Sequence, residues 1–219
     1  MSNPNEPRRK QGGKAAPVGF GLILATQILA GCSGVVSSDP WFAAADAAGA
    51  PRLREGVWRL ESDPANACNV HENRPLETWP SCASGMVVRP FDLLGLSKSA
   101  GGWKWDTAPY LIAAGAPPVM QLADSEPASA SYEYLWVRPV RFDDQNRAVA
   151  IRGWRVLCGP PAPSPPPAGA KPTFYPGLTV ASGGCAADSV GSLRAAAKST
   201  ETDYATDVFE AHWVRDGNR

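Results

Sequence analysis

The strongest periodicity in the chain lies between Tyr132 and Phe142. There Tyr132, Tyr134, Trp136, Arg138, Val140 and Phe142 alternate with Glu133, Leu135, Val137, Pro139 and Arg141. A repeat of two is what a β-strand with two distinct faces requires. The polar run Asp143-Asp144-Gln145-Asn146 follows as a turn, and Ala148 to Cys158 returns as a second long strand, giving an antiparallel hairpin. Arginines and aromatics interleave from Tyr132 to Arg155, which reads as a sheet with one wet face. The face holding Leu135 and Val137 is expected to hold Val149, Ile151 and Leu157, because a slip of one residue would turn them to water. Pro139 has no N–H to give a ladder, so its strand is an edge there or carries a bulge.

Weaker patterns extend the sheet. Arg54 to Glu61 alternates Val57, Arg59 and Glu61 with Trp58 and Leu60, a strand that opens the folded body. A polar, Asn- and Pro-rich loop runs from Ser62 to Trp79, and Gly85 to Arg89 is the next strand. Leu93 to Gly102 reads as a turn, followed by a strand with Trp103 and Trp105 on one face. The apolar runs Pro109–Ala114 and Val119–Ala123, separated by Gly115-Ala116-Pro117-Pro118, read as a pair of strands with a wide turn. Two helices flank the sheet. Ser38-Asp39-Pro40 supplies a cap and a first-turn proline for a two-turn helix from Trp41 to Ala48, stopped by Gly49. Ser189 to Thr200 forms the other, with Val190, Leu193 and Ala197 on one face, and Phe209 to Arg215 is a last strand carrying Trp213. The expected fold is therefore mainly β within the α+β class: a single small antiparallel sheet, sandwich or barrel-like, with short helices near both ends.

Ahead of this body the pattern changes. Arg8, Arg9, Lys10 and Lys14 precede an uncharged apolar run from Ala15 to Ala30, with Gln27 its one strongly polar interruption. Basic leader, short apolar run and small residues together make a secretory signal, and the run is shorter than the roughly 20 apolar residues of a spanning helix. Arg8-Arg9 also suggests twin-arginine export, although Lys10-Gln11-Gly12 does not continue that motif. The run ends in Leu29-Ala30-Gly31-Cys32, which resembles the lipobox of bacterial lipoprotein precursors. The resemblance implies that Cys32 is lipidated, residues 1–31 are removed, and the chain is anchored in the bacterial envelope. Ser33 after the cysteine implies the outer membrane, facing the periplasm. The division expected is a signal peptide at 1–31, a tether and short helix at 32–51 with 33–37 small and flexible, and a β-rich domain at 52–219. A proline-rich surface loop at 159–172 lies within that domain. Trp41 and Phe42 are expected to dock on their own domain rather than in lipid.

Composition then limits the chemistry. The chain carries 21 basic and 21 acidic residues, and removing the leader leaves the body slightly acidic, so nothing recruits nucleic acid. Cys68, Cys82, Cys158 and Cys185 remain after Cys32, an even number in an oxidising compartment, which reads as two disulfides. Of three connectivities the sequence-local one, Cys68–Cys82 with Cys158–Cys185, brackets a polar and a proline-rich loop. A zinc clip from Cys68, His71 and Cys82 is the rival reading. His71 and His212 are the only histidines, and neither lies in a recognisable nucleophile setting. Asp143-Asp144 in the turn reads as solvated carboxylates. Gly56-Val57-Trp58 resembles the G-x-W that opens the first strand of lipocalin-like barrels, which implies an apolar ligand, and Gly153-Trp154 repeats the pair in a late strand. The expected role is structural or interactive, with the membrane and an envelope protein as partners and no enzymatic activity, metal or cofactor. An aromatic-lined barrel for a small apolar or envelope-derived ligand is the alternative, and a hydrolase comes third.

Overall fold

The computed structural model of the chain describes residues 34–61, 68–80, 82–99, 102–124, 131–162, 171–206 and 208–217. The signal segment 1–31 and Cys32 lie outside the described residues. In chain order the strands are β1 (Val36–Ser37), β2 (Arg52–Leu53), β3 (Gly56–Glu61), β4 (Ser84–Val88), β5 (Asp92–Ser99) and β6 (Gly102–Ala113). They continue as β7 (Val119–Ala123), β8 (Tyr132–Phe142), β9 (Arg147–Arg155), β10 (Leu178–Ala181), β11 (Gly184–Ala187) and β12 (Phe209–Arg215). One α-helix, α1 (Val190–Asp203), falls between β11 and β12. From β3 to β9 each strand pairs antiparallel with the next, and β12 pairs with both β9 and β3. The sheet is thereby a closed eight-stranded antiparallel barrel, which abolishes the edges that an open sheet would expose.

Alternation along the strands sorts side chains into an interior and two outer patches. Trp58, Val88, Leu93, Ile112, Met120, Leu135, Val137, Ile151 and Ala211 come from all eight barrel strands and pack together inside. Leu53 and Ala50 join them, because the segment before β3 crosses one end of the barrel and β2 pairs parallel with the start of β9. Outside, Val57, Val87 and Leu94 are covered by Leu76 and Trp79 from the long β3–β4 loop. The larger outer patch joins Tyr134, Trp136, Trp154 and Val156 to Val35, Phe42, Cys185 and the helix residues Leu193, Ala196 and Ala197. The barrel wall is thus buried on both faces over much of β8 and β9, where the sequence suggested one wet face. The wet face survives only toward the far end of the hairpin, where Val140 and Phe142 are exposed.

The β8–β9 hairpin forms in the expected place, with Leu135 opposite Arg155, Val137 opposite Gly153 and Pro139 opposite Ile151. The register shifts between Pro139 and Phe142, so the proline does sit at a bulge. That irregularity alters the face assignment. Leu135, Val137 and Ile151 share the interior as expected, but Ala148 joins them rather than Val149, and Leu157 lies past the end of β9 in a bridge to Gly34. The α1 helix starts where Ser189 caps it, its hydroxyl accepting the Ser192 N–H at 3.1 Å, and it buries Leu193 and Ala197.

Three other expectations are corrected. Leu93 to Gly102 is not a turn: most of it is β5, paired along its length with β6. The helix before β3 is only a 3-10 turn at Ala44–Ala47, begun by Ala43, whose N–H donates to the Asp46 carboxylate at 2.8 Å. Ser38-Asp39-Pro40 and Trp41 lie before it, and Phe42 is buried on its own domain. Residues 34–37 are no flexible tether, since Val36 and Ser37 form β1 paired with the start of β8 and Val35 is 1% exposed.

Candidate functional site

The N-terminal junction is built from the first described residues upward. Val35 donates its N–H to the Val156 carbonyl at 2.8 Å, and the Gly34 carbonyl accepts the Cys185 N–H at 3.2 Å. Val36 then pairs with Glu133 and Ser37 with Tyr132. The Ser37 hydroxyl meets the Tyr134 hydroxyl at 2.6 Å, while burial pushes the Tyr134 phenol upward. Gly184 is required here, because a Cβ at that position would collide with the Gly34 carbonyl oxygen. Cys185 is linked to Cys158 with their Cα atoms 5.8 Å apart, so one covalent bond ties β11 to the segment just after β9, and the entering chain is hydrogen-bonded to both. Further along, Gln121 clamps the incoming segment: its Oε1 accepts the Phe42 N–H at 3.0 Å and its Nε2 donates to the Phe42 carbonyl at 3.2 Å. Arg194 of α1 donates to the Pro117 and Ala114 carbonyls and lies 5.3 Å from the centre of the Phe42 ring. Sequence reasoning missed both residues. The signal for Gln121 was a lone amide inside the apolar run Val119 to Ala123.

The cysteines pair as the sequence-local reading expects. Cys68 and Cys82 are joined across the loop that carries Leu76 and Trp79 onto the outer wall, with Cα atoms 5.9 Å apart. That bond uses both sulfurs of the zinc reading, which is thereby overturned. His71 is exposed, while His212 on β12 lies between two carboxylates, Glu61 at 3.5 Å from Nδ1 and Glu72 at 3.5 Å from Nε2. Arg59 neutralises the second through a contact of 3.2 Å. This is a charge network on the outer wall of the barrel.

The turn carboxylates differ from expectation in an informative way. Asp144 is exposed as anticipated, but the Asp143 side chain is only 6% exposed. Its Oδ1 accepts the backbone N–H groups of Gln145 at 3.0 Å and Arg147 at 2.9 Å. Its Oδ2 meets the Arg147 guanidinium at 2.7 Å. Burial pushes the Asp143 carboxyl upward, but these donors outweigh it and hold the group below the usual carboxylate range. Asp143 is therefore a structural brace for the hairpin turn, helped by Asn146 in the left-handed region at φ 56°.

The interior of the barrel decides what the fold can hold. Trp58 is fully buried and donates its indole N–H to the Arg54 carbonyl at 2.8 Å, plugging the end where β3 begins. Tyr110 is near that end too, donating to the Arg89 carbonyl at 3.2 Å, with its phenol pushed up to about 12 by burial and by the Glu55 and Asp92 carboxylates. Toward the other end, Ser97 donates to the Asp106 carboxylate at 2.8 Å and Lys104 reaches it at 2.7 Å. Burial raises Asp106, but Lys104 and Ser97 together hold it below its ordinary value. Two hollows lie outside the interior. A shallow hollow of about 340 Å³ lies between the 49–52 segment and Pro118, Pro139, Phe142 and Asn146. A smaller one of about 40 Å³ is lined by Trp79, Leu96 and Trp103. Neither includes His71 or His212.

The chain matches no known protein-family model, and no curated protein or solved structure is significantly similar to it.

Proposed function

We propose that this chain is a lipoprotein of the bacterial envelope, anchored through Cys32, whose barrel binds an envelope protein partner through its outer surface. The observation that carries the reading is the filled interior. Large apolar side chains from every barrel strand meet inside it, and Trp58, Leu93, Ile112, Met120, Leu135, Val137 and Ile151 are each 7% exposed or less. A container for a small apolar ligand needs a concave, mostly pre-formed cavity of several hundred Å³, whereas here large apolar side chains converge on the barrel axis and pack against one another. The outer surface offers more. Phe91, in the β4–β5 turn, is 80% exposed, and Val140 and Phe142, at the end of β8, are 58% and 47% exposed. In an up-and-down barrel those two turns fall at the same end, where the 340 Å³ hollow also lies. Apolar side chains displayed together on an otherwise polar surface are the usual material of a protein interface.

The leader and the Leu29-Ala30-Gly31-Cys32 tetrapeptide support the anchor. Two or more acyl chains on one residue give stable membrane attachment, each buried CH₂ contributing about 0.8 kcal/mol. The test is mass spectrometry of the protein extracted from the envelope in mild detergent. The intact mass is expected to show loss of residues 1–31 and acyl chains on Cys32, and the native spectrum a stoichiometric complex with a second protein. A stoichiometric small apolar molecule retained by the barrel, with no protein partner, would transfer the assignment to ligand carriage. A processed protein without acyl chains would remove the anchor.

A further inference from the structure

We infer that the mature protein is docked flush on the bilayer, with the tip of the β10–β11 hairpin resting in the lipid headgroup interface. This rests on the proposed acylation of Cys32. The first observation is how little chain separates that residue from the folded body. Gly34 is already fixed by the Cys185 N–H and by a bridge to Leu157, and Val35 is 1% exposed. Two residue steps span at most about 7 Å, so an acylated Cys32 holds Gly34 close to the membrane surface. Gly34 in turn lies against Gly184, at the base of the hairpin tip.

The second observation is direction. Val35 pairs parallel with Cys185, so the hairpin tip at 182–183 projects on the side from which the chain enters Gly34. The Cys158–Cys185 disulfide holds it there covalently.

The third is chemistry. From Leu178 to Ala187 the hairpin carries no charged residue, although 19% of the chain is charged. Val180 is 76% exposed, with Thr179, Ser182 and Gly183 exposed beside it. A short uncharged hairpin with an exposed valine loses little on leaving bulk water and meets no repulsion from an anionic headgroup surface. The outer edge of β10 has no partner strand among the described residues.

The experiment is hydrogen exchange on the full, acylated protein reconstituted into vesicles of phosphatidylethanolamine and phosphatidylglycerol. It is compared with a variant carrying ten Gly/Ser residues inserted between Ser33 and Gly34. Intact mass establishes acylation of both. Exchange at 179–184 is expected to be at least tenfold slower in the native-tether protein than in the variant, and Val180→Asp is expected to remove most of that difference. Equal exchange in two acylated proteins overturns the docking and leaves the anchor standing. A mature protein without acyl chains on Cys32 overturns the anchor, and the docking falls with it. Protection that survives the long linker also overturns the inference, since the hairpin is then covered by something other than the surface to which the short tether holds it.

Discussion

Replacing Ile151 with aspartate tests the barrel's register and its dry interior together. Ile151 is 2% exposed and stands opposite Pro139 on one side and Ala211 on the other, inside the barrel with Leu135 and Val137. Losing its burial costs about 1.5–3 kcal/mol. The new carboxylate must either stay charged without a partner or take up a proton. Protonation at pH 7 costs at most about 4 kcal/mol, since the group starts from about 3.9 and each pH unit is worth about 1.4 kcal/mol. The sum, about 5–7 kcal/mol, is comparable to the whole stability of many domains.

The electrostatic part has a definite sign. The carboxyl's folded-state pKa is raised above its unfolded value, so its penalty is absent below about pH 4. Above that it grows by about 1.4 kcal/mol per unit until the folded-state value is reached. Ile151→Asn supplies the uncharged control, losing the same apolar contact with no such pH dependence. The assay is guanidinium unfolding of a soluble Cys32→Ser body with its disulfides intact, followed by tryptophan fluorescence between pH 4 and pH 8. Asp144→Ala, in the exposed turn, is expected to change stability by less than about 1 kcal/mol. The placement of Ile151 is refuted if its aspartate variant lies within about 1 kcal/mol of the parent, if aspartate and asparagine coincide at pH 7, or if Asp144→Ala costs more.

Gln121→Leu removes both bonds to the Phe42 backbone and leaves that buried N–H and carbonyl unpaired, so it is expected to cost about 2–4 kcal/mol in the same unfolding assay. Asp143→Asn is expected to destabilise more than Asp144→Asn. Because Asp143 is held below its usual value, its contribution is present above about pH 4 and fades as pH falls through the folded-state value, so the two variants converge in acid. A constant gap across pH would contradict the brace. The bond from Cys158 to Cys185 closes a longer loop than that from Cys68 to Cys82, with separations of 27 and 14 residues. Removing either pair by alanine is expected to cost about 3–4 kcal/mol, but only loss of Cys158–Cys185 should open residues 34–37 to limited proteolysis.

The long hairpin was legible because its alternation is dense and its turn is polar, and α1 because Ser189 is a good cap before an apolar face. Why β5 was hidden follows from where its side chains point. Leu94 and Leu96 face the outer patch, while the interior positions are Leu93, Gly95 and Ser97. Ser97 faces inward to serve the Asp106 carboxylate, so the apolar residues mark the wrong face and the strand reads as a turn. The β10–β11 hairpin is too short and too rich in small residues to carry a period. The junction at 34–37 was obscured for another reason: Val35 and Val36 are only two β-branched residues, and their partners Val156, Cys185 and Glu133 lie more than ninety positions away. Sequence pattern conveys which residues want burial, and it conveys the burying surface only when that surface is close in the chain. The disulfides were an exception, since oxidising chemistry and an even count restrict the choice sharply.

Because β12 lies between β9 and β3, the barrel has a gap one strand wide until residues 209–215 arrive. Synthesis from the N-terminus supplies those residues after every other wall strand. During that interval β3 and β9 present open backbone edges, the geometry that recruits strands from other chains. Phe209, Ala211 and Trp213 also fill the interior from β12, so the unfinished barrel is open to water along the same seam. A chain ending before Phe209 would therefore keep most of its pairings and still be sticky, tending to complete its seam with a neighbour's strand. The last strand closes the seam, and its absence is expected to show as self-association before it shows as unfolding.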